Sequence, residues 1–172
     1  AINSTQDLKG LKFRAYNSSL IRLAELTGMA PTKIEAAEIS QAFSTGAVES
    51  MITSPTTGKN SKIWENGVEY FYDIAAWFPK NMVIVNKDAW NKLDSDIQKL
   101  VMKEAATAER KGWNLSKKGN VADKQALSNA GMKVGKVNAA LKKHFQEVGA
   151  TMSEEWAERA GSRGQAVLAA YK

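Results

Sequence analysis

The stretch that decides the fold is residues 11–54, LKFRAYNSSLIRLAELTGMAPTKIEAAEISQAFSTGAVESMITS. It alternates short apolar runs, which are typical of buried strands, with longer segments whose apolar residues recur at helical spacing. Strands joined by helices within so few residues need crossover connections, which are right-handed and produce a mostly parallel sheet. The fold class is therefore predicted as α/β. The expected strands are 11–16, 30–34 and 48–53, and the expected helices are 20–27, capped by Ser18 or Ser19, and 36–44.

After the third strand the pattern predicts two further strands and then mostly helix. Residues 57–66 are expected to form a short helix. The apolar run NMVIVN, residues 81–86, predicts a strand that is buried on both faces. An apolar stripe from Ile97 to Ala108 predicts one long helix over residues 96–129. The other expected elements are strands at 69–78 and 132–137 and helices at 138–160 and 162–171.

The composition is normal for a globular domain and narrows the function. The 172 residues are 44% hydrophobic and include no cysteine, which excludes a disulfide framework and a thiol nucleophile. A net charge of +6 favours anionic partners, and a basic nucleic-acid-binding domain is therefore one alternative. The lysines, however, mostly alternate with acidic residues, as in residues 88–105, DAWNKLDSDIQKLVMKEA. This alternation is typical of a solvated surface rather than a basic stripe.

No catalytic constellation is visible in the sequence. His144 is the single histidine and has no partner at the spacing of a metal site or a catalytic triad. The phosphate-binding and nucleophile-elbow motifs are absent, so no metal or cofactor is expected. The acidic pair Glu154 and Glu155 is interpreted as part of a helix N-terminal turn. We therefore expect a protein that is not an enzyme, with an unassigned α/β enzyme domain as a further alternative.

Arg14 is the feature that stands out, because an arginine inside a short apolar strand needs a partner. It shares one strand face with Tyr16 and lies near the carboxyl end of the strand, where open parallel sheets bind ligands. Its planar guanidinium matches a carboxylate with two parallel hydrogen bonds. Two interpretations remain open at this stage: a grip on a ligand carboxylate, or a structural salt bridge to Glu35 or Glu49.

Three more residues lie at or directly after the ends of predicted strands and are candidates for ligand contact. Thr53 and Ser54 end the third strand, where their hydroxyls either bond a ligand or cap the turn before Pro55. Trp77 lies at the end of the next predicted strand, where it either walls an apolar pocket or packs in the core.

The motifs of the chain occur in an order that resembles a known family. Residues 7–55, DLKGLKFRAYNSSLIRLAELTGMAPTKIEAAEISQAFSTGAVESMITSP, are similar to the central segment of the DctP-type solute-binding proteins of tripartite ATP-independent periplasmic (TRAP) transporters. The family's Gly-Leu-Lys-x-Arg strand corresponds to residues 10–14, and its Val-Asp-Gly start of a strand is Val48-Glu49-Ser50 here. Residues 81–109 are similar to the family's strand that leads into a domain-crossing helix.

The resemblance implies a periplasmic-binding-protein-like lobe with a parallel-rich sheet, helices on both faces and a long inter-lobe helix. In the family, the arginine that matches Arg14 holds the ligand carboxylate. A residue at the end of the third strand, here Thr53 or Ser54, assists it, and the segment from Trp77 to Asn81 forms another side of the cleft. The implied function is capture of a small organic acid in the periplasm and its delivery to the membrane permease subunits.

The resemblance also implies a division of the chain, with the family's N-terminal lobe missing from this sequence. Residues 1–78 are expected to be the ligand-binding second lobe, 79–131 a hinge strand and a helix that crosses to the first lobe, and 132–172 a return to the second lobe. Surface left uncovered by the missing lobe is apolar, and dimerisation through it is a further expectation.

Overall fold

The computed structural model describes residues 1–79 and 81–171 and contains the predicted parallel sheet. Strand β1 (Lys12–Ala15) lies at its centre, between β2 (Ala30–Lys33) and β3 (Ser50–Met51). Both pairings are parallel. The α/β fold class is therefore confirmed, although β3 is much shorter than the predicted strand over residues 48–53.

The first crossover helix shows how local sequence defines an element. Helix α1 (Ser18–Thr27) is capped by Asn17, whose side-chain oxygen accepts a hydrogen bond from the amide of Leu20 at 2.9 Å. The prediction that Ser18 or Ser19 caps the helix was therefore wrong by one residue. Asparagine is an equally good N-cap residue, so the sequence offered no basis for choosing between them. Gly28 ends α1 in the left-handed conformation, as the sequence predicts.

The second crossover and the segment after β3 also follow the predicted pattern. A 3-10 turn over Ala36–Glu38 leads into helix α2 (Ile39–Ser44). After β3, helix α3 (Pro55–Asn60) and a 3-10 turn over Ile63–Asn66 replace the single short helix that the sequence predicts for residues 57–66.

A second, two-stranded parallel sheet joins distant parts of the chain. It pairs β4 (Tyr70–Tyr72) with β5 (Lys133–Gly135). Both strands are shorter than the predicted strands at 69–78 and 132–137. After Tyr72 the chain leaves the sheet, and residues 73–79 form no regular element.

The strand predicted for residues 81–86 is not formed, and this prediction was wrong. The segment belongs to no regular element, and its apolar side chains are exposed: Val83 is 104% and Ile84 85% exposed. A strand requires the backbone of a neighbour for its hydrogen bonds, and no described residue pairs with this segment. The short helix α4 (Lys87–Asn91), which the sequence did not predict, follows.

Two long helices complete the fold. Helix α5 (Ser95–Asn129) confirms the predicted long helix, and at 35 residues it extends for about 52 Å. Helix α6 (Ala139–Tyr171) is capped by Asn138, whose side-chain oxygen accepts from the amide of Leu141 at 2.9 Å. Gly161, with φ 63° and ψ −150°, interrupts α6 where the sequence predicts a break between two helices.

The core of the described residues consists of two clusters of buried side chains. The first joins β1 and α1 to α6, and the second joins α2 and the 3-10 turn after α3 to the end of α5. Burial of such side chains stabilises the fold by about 1.5–3 kcal/mol each. The first cluster contains Leu8, Phe13, Ala15, Leu20, Leu23, Ala24, Met29, Leu141 and Val148, and the second contains Ile39, Ala42, Phe43, Val48, Ile63, Leu127 and Met132.

Leu127 tests the second cluster. It is fully buried and lies within 4 Å of the position that a Cβ on Gly58 would take, so it fills the contact between α3 and α5. We expect Leu127→Ala to lower the free energy of unfolding by about 2–5 kcal/mol, because it leaves a cavity. Leu100→Ala, on the exposed part of the same helix, is the matched control and should change this chain's stability by about 0.5 kcal/mol or less. Urea denaturation of this chain measures both changes. Equal effects would contradict the assignment of Leu127 to the core between α3 and α5.

Candidate functional site

The carboxyl ends of the three parallel strands of the first sheet meet at one edge. Arg14 on the central strand is in register with Thr32 on β2 and with Met51 on β3. The chain then passes from β1 through Tyr16 into α1, and from β3 through Thr53 into α3. This edge is the place where open parallel sheets bind ligands, and the parallel pairing brings the ends of β1 and β3 to it.

The Arg14 side chain is buried at this edge and held from two sides. It is only 3% exposed, and its Nε donates a hydrogen bond to the carbonyl oxygen of Ile34 at 2.9 Å. Its Cζ lies 4.8 Å from the centre of the Tyr16 ring, which places the cation over the aromatic face. Burial lowers the pKa of Arg14, whereas Tyr16 and Glu35 raise it. A guanidinium stays charged in proteins, so this site presents a buried positive charge.

No carboxylate of the described residues forms an ion pair with Arg14. The two carboxylates that the sequence offers for a structural salt bridge have other contacts. Glu35 pairs with Lys33 at 3.6 Å, and Glu49 accepts a hydrogen bond from the amide of Lys12 at 3.4 Å. Among residues 1–79 and 81–171, the terminal nitrogens of Arg14 also form no hydrogen bond, so its fork is left without a protein acceptor.

Tyr16 and Ile34 are the residues that our sequence reasoning did not propose for this site. Strand alternation places Tyr16 on the same face as Arg14, so the contact between them could have been predicted from the sequence. The carbonyl of Ile34 carries no sequence signal, because any residue after β2 supplies a backbone oxygen there. Together the two residues restrict the orientation of the guanidinium.

Thr53 and Ser54 lie at the same edge but make different contacts. Ser54 is exposed and caps α3, because its hydroxyl accepts a hydrogen bond from the amide of Thr57 at 3.1 Å. Thr53 is half-buried and lines a cavity of about 580 Å³ that residues of both sheets border, among them Tyr70 and Phe71 of β4. Arg14 does not line this cavity.

Trp77 and Asn81 lie apart from these residues. Trp77 is half-buried, packs against the first core cluster and lines a second cavity of about 790 Å³ between α1 and α6. Asn81 is exposed at the start of the unpaired segment. The described residues therefore do not enclose Arg14, Thr53, Trp77 and Asn81 in one pocket. The five predicted site residues remain a prediction.

The second cavity is bordered by an ion pair that joins α1 to α6. Arg22 donates to both oxygens of Glu155, with its Nη2 at 2.6 Å from Oε1. The interpretation that Glu155 belongs to a helix N-terminal turn was wrong, because it lies in the middle of α6. His144 is half-buried on the same helix, and the described residues contain no cluster of metal-ligating side chains.

Comparison with known proteins assigns the chain to a family. The family model described as bacterial extracellular solute-binding protein, family 7, or DctP, matches residues 1–159. The chain belongs to this family, and the resemblance to TRAP solute-binding proteins that its motifs indicate is confirmed. It is 26% identical over 170 residues to the C4-dicarboxylate-binding periplasmic protein DctP of Rhodobacter capsulatus. That match covers 95% of this chain and 50% of that protein.

Solved structures agree with this assignment. One is DctP6 of Bordetella pertussis, an extracytoplasmic solute receptor that binds pyroglutamic acid, with 41% identity and a TM-score of 0.96. Another is a TRAP solute-binding protein from a marine metagenome, specific for pyroglutamate, with 36% identity and a TM-score of 0.95. Each match covers 99% of this chain and 56% of the other, so the chain spans about half the length of its relatives.

The family is one of bacterial extracellular solute-binding proteins. Within the described residues, no helix has the length and apolar character that crossing a bilayer requires.

The Arg22–Glu155 pair gives a pH-dependent prediction. The hydrogen bond from Arg22 lowers the pKa of Glu155 below its ordinary value of 4.5. A carboxylate with a lowered pKa contributes stability above its unfolded-state pKa and loses it as the pH falls through the folded-state value. We therefore expect Glu155→Gln to destabilise the chain at pH 7, and we expect its difference from wild type to shrink below about pH 4.5.

Thermal unfolding of the two chains across pH 3–7 measures this difference. Glu154→Gln is the matched control, because Glu154 is exposed and has no ion pair among the described residues. If Glu155→Gln lowered the unfolding temperature by the same amount down to pH 3, the charge of Glu155 would not be what joins α1 to α6.

Proposed function

We propose that this chain forms the ligand-gripping lobe and the connecting helix of an extracytoplasmic receptor for a small organic acid. The observation that carries the proposal is Arg14, a buried guanidinium at the carboxyl edge of the sheet without a carboxylate among the described residues. A ligand carboxylate is the partner whose charge and geometry fit it.

The local geometry of Arg14 favours this role over a purely structural one. The hydrogen bond from its Nε to Ile34 and the ring of Tyr16 hold the side chain before a ligand arrives, so little conformational entropy is lost on binding. The two terminal nitrogens then remain for the two oxygens of one carboxylate. A side chain prepared in this way supports selection for acids over neutral solutes.

Pyroglutamate is the ligand that the relatives favour. The receptors from Bordetella pertussis and from the marine metagenome, at 41% and 36% identity, both bind it. It offers one carboxylate for Arg14 and a small lactam ring with one donor and one acceptor. We infer that the hydroxyls of Thr53 and Ser54 and the side chain of Asn81 serve the polar atoms of the ring, and that Trp77 covers its apolar face.

The uncovered apolar surface supports a second part of the proposal. Val83, Ile84 and the α5 stripe at Ile97, Leu100 and Val101 are exposed in this chain, which is costly for a protein in water. We propose that residues 79–131 cross to a first lobe, while 1–78 and 132–172 form the second. Membrane permease subunits of a TRAP transporter are the proposed partners of the whole receptor in the periplasm. We expect neither turnover of the ligand nor salt-sensitive DNA binding.

Arg14 is tested by affinity. In the receptor that contains this chain, we expect Arg14→Ala to weaken pyroglutamate binding at least tenfold, because each charge-assisted hydrogen bond contributes about 1.5–3 kcal/mol. Arg14→Lys should also bind weakly, since it keeps the charge but loses the planar fork. Isothermal titration calorimetry measures both.

Arg163→Ala removes an exposed arginine on α6 and is the control for charge, with wild-type affinity expected. Wild-type affinity in Arg14→Ala would reject Arg14 as the carboxylate grip. If the wild-type receptor bound neither pyroglutamate nor any other acid in a broad panel, the proposed function itself would be wrong.

The uncovered segment is tested by hydrogen exchange. In this chain the amides of residues 82–85 should exchange at the rate of an unfolded peptide, because no described residue forms a strand pair with them. In the receptor that includes the rest of the protein, we expect these amides to be protected by strand pairing. Lack of protection there would contradict the division at residue 79, and protection in this chain alone at high concentration would indicate self-association through the same segment.

A further inference from the structure

Helix α5 consists of two unlike parts. From Ser95 to Lys118 every side chain except the partly covered Gln98 is exposed. Near its end, by contrast, Asp123 is 5% exposed and Leu127 is fully buried. We call residues 95–118 the α5 arm and residues 119–129 the α5 base. Among the described residues the base packs on α3 and β5, whereas the arm has only the hydrogen bonds of Gln98 to the carbonyls of Trp90 and Leu93, just before α5. The contacts of the base therefore decide the direction of the arm.

The carboxylate of Asp123 is the polar centre of the base. It accepts hydrogen bonds from the hydroxyl of Thr56 and from the ammonium of Lys59, each at 2.6 Å, and both donors lie on one face of α3. These bonds, first the one from Lys59, lower the pKa of Asp123. Next to them, Gly58 lies against Leu127, so α3 and the base approach closely. A buried carboxylate with two short partners fixes α3 to the base in both position and rotation.

The adjacent residue, Lys124, makes a second connection. Its ammonium lies 2.7 Å from the carboxylate of Asp73, the residue that follows β4. The backbone amide of Asp73 also donates to the carbonyl of Gly135 at 2.7 Å, so this exit from the sheet is itself anchored. Asp123 and Lys124 therefore hold two different chain segments at one point of α5.

Both segments lead to residues of the proposed ligand site. Helix α3 begins directly after Thr53 and Ser54, and Ser54 caps it. The segment held through Asp73 continues to Trp77 four residues later. The α5 base is thus bonded to the helix that directly follows Thr53 and Ser54 and to a residue four positions before Trp77.

We propose that Asp123 is a positioning residue, which with Lys124 fixes the direction of the α5 arm relative to Thr53, Ser54 and Trp77 and so couples ligand binding to that direction. The proposal rests on the proposed function for its ligand but not for its geometry. It assigns Asp123 no contact with the ligand.

Two measurements on the receptor that contains this chain test the proposal. The chain has no cysteine, so dyes attached at Lys33→Cys and Lys111→Cys report the distance between β2 and the arm by single-molecule energy transfer. Without ligand, Asp123→Asn should broaden this distance distribution. With pyroglutamate, it should weaken binding by about threefold to thirtyfold, the usual range for residues that couple distant sites.

Glu147→Gln is the matched control, because its ion pair with Lys143 on α6 is exposed; it should leave both readouts unchanged. Lys59→Met is a second variant, to be used if Asp123→Asn does not fold. It removes the ammonium while Asp123 keeps its hydrogen bond from Thr56, and it should broaden the distance distribution and weaken binding in the same way. An unchanged ligand-free distribution in a folded variant overturns the proposal, whether or not pyroglutamate is the ligand. Unchanged affinity with a broadened distribution overturns the coupling. Absence of binding by the wild type counts against the proposed function alone.

Discussion

The site at the sheet edge depends on a buried guanidinium whose fork has no acceptor among the described residues. Burying Arg14 removes a full charge from water, which is unfavourable unless another group compensates it. Among the described residues, one carbonyl and one aromatic ring compensate it in part. The surrounding parallel sheet keeps the side chain in place because β1 is paired on both sides. An anion that completes this compensation gains more from the contact than it would at an exposed arginine.

A second buried charge in the same chain, that of Asp123, does have protein partners. Asp123 has both an ammonium and a hydroxyl as partners, and it joins two helices. The contrast separates two uses of buried polarity: a charge with its partners supplied by the fold positions elements, and a charge without them is available to a ligand. Exposure alone does not distinguish the two, since both residues are 5% exposed or less.

The sequence predicted those elements whose stabilising contacts lie within this chain. The strands around Arg14 were confirmed, because their apolar residues pack on helices that the same pattern supplies. The long helix was confirmed although its apolar stripe at Ile97, Leu100 and Val101 is exposed, because a helix forms its backbone hydrogen bonds within one segment. The apolar run at 81–86 was misread, because a hydrophobic strand needs a backbone partner and none is present among the described residues. At the site, the strand position of Arg14 was predictable. Its contact with a backbone carbonyl was not, because every residue type supplies the same carbonyl group.

The length of α5 sets a tolerance on the angle at its base. Ser95 precedes Asp123 by 28 residues, or about 42 Å of straight helix. A tilt of about 5° at Asp123 would therefore displace Ser95 by about 4 Å, slightly more than the 3.3 Å rise of one residue in a strand. Helix α4 joins this end of α5 to the apolar segment at 82–85. In the strand pairing proposed for that segment, an error of this size equals a slip of one residue, which turns every side chain to the wrong face. Angular precision at the end of one helix thus becomes register precision some 40 Å away.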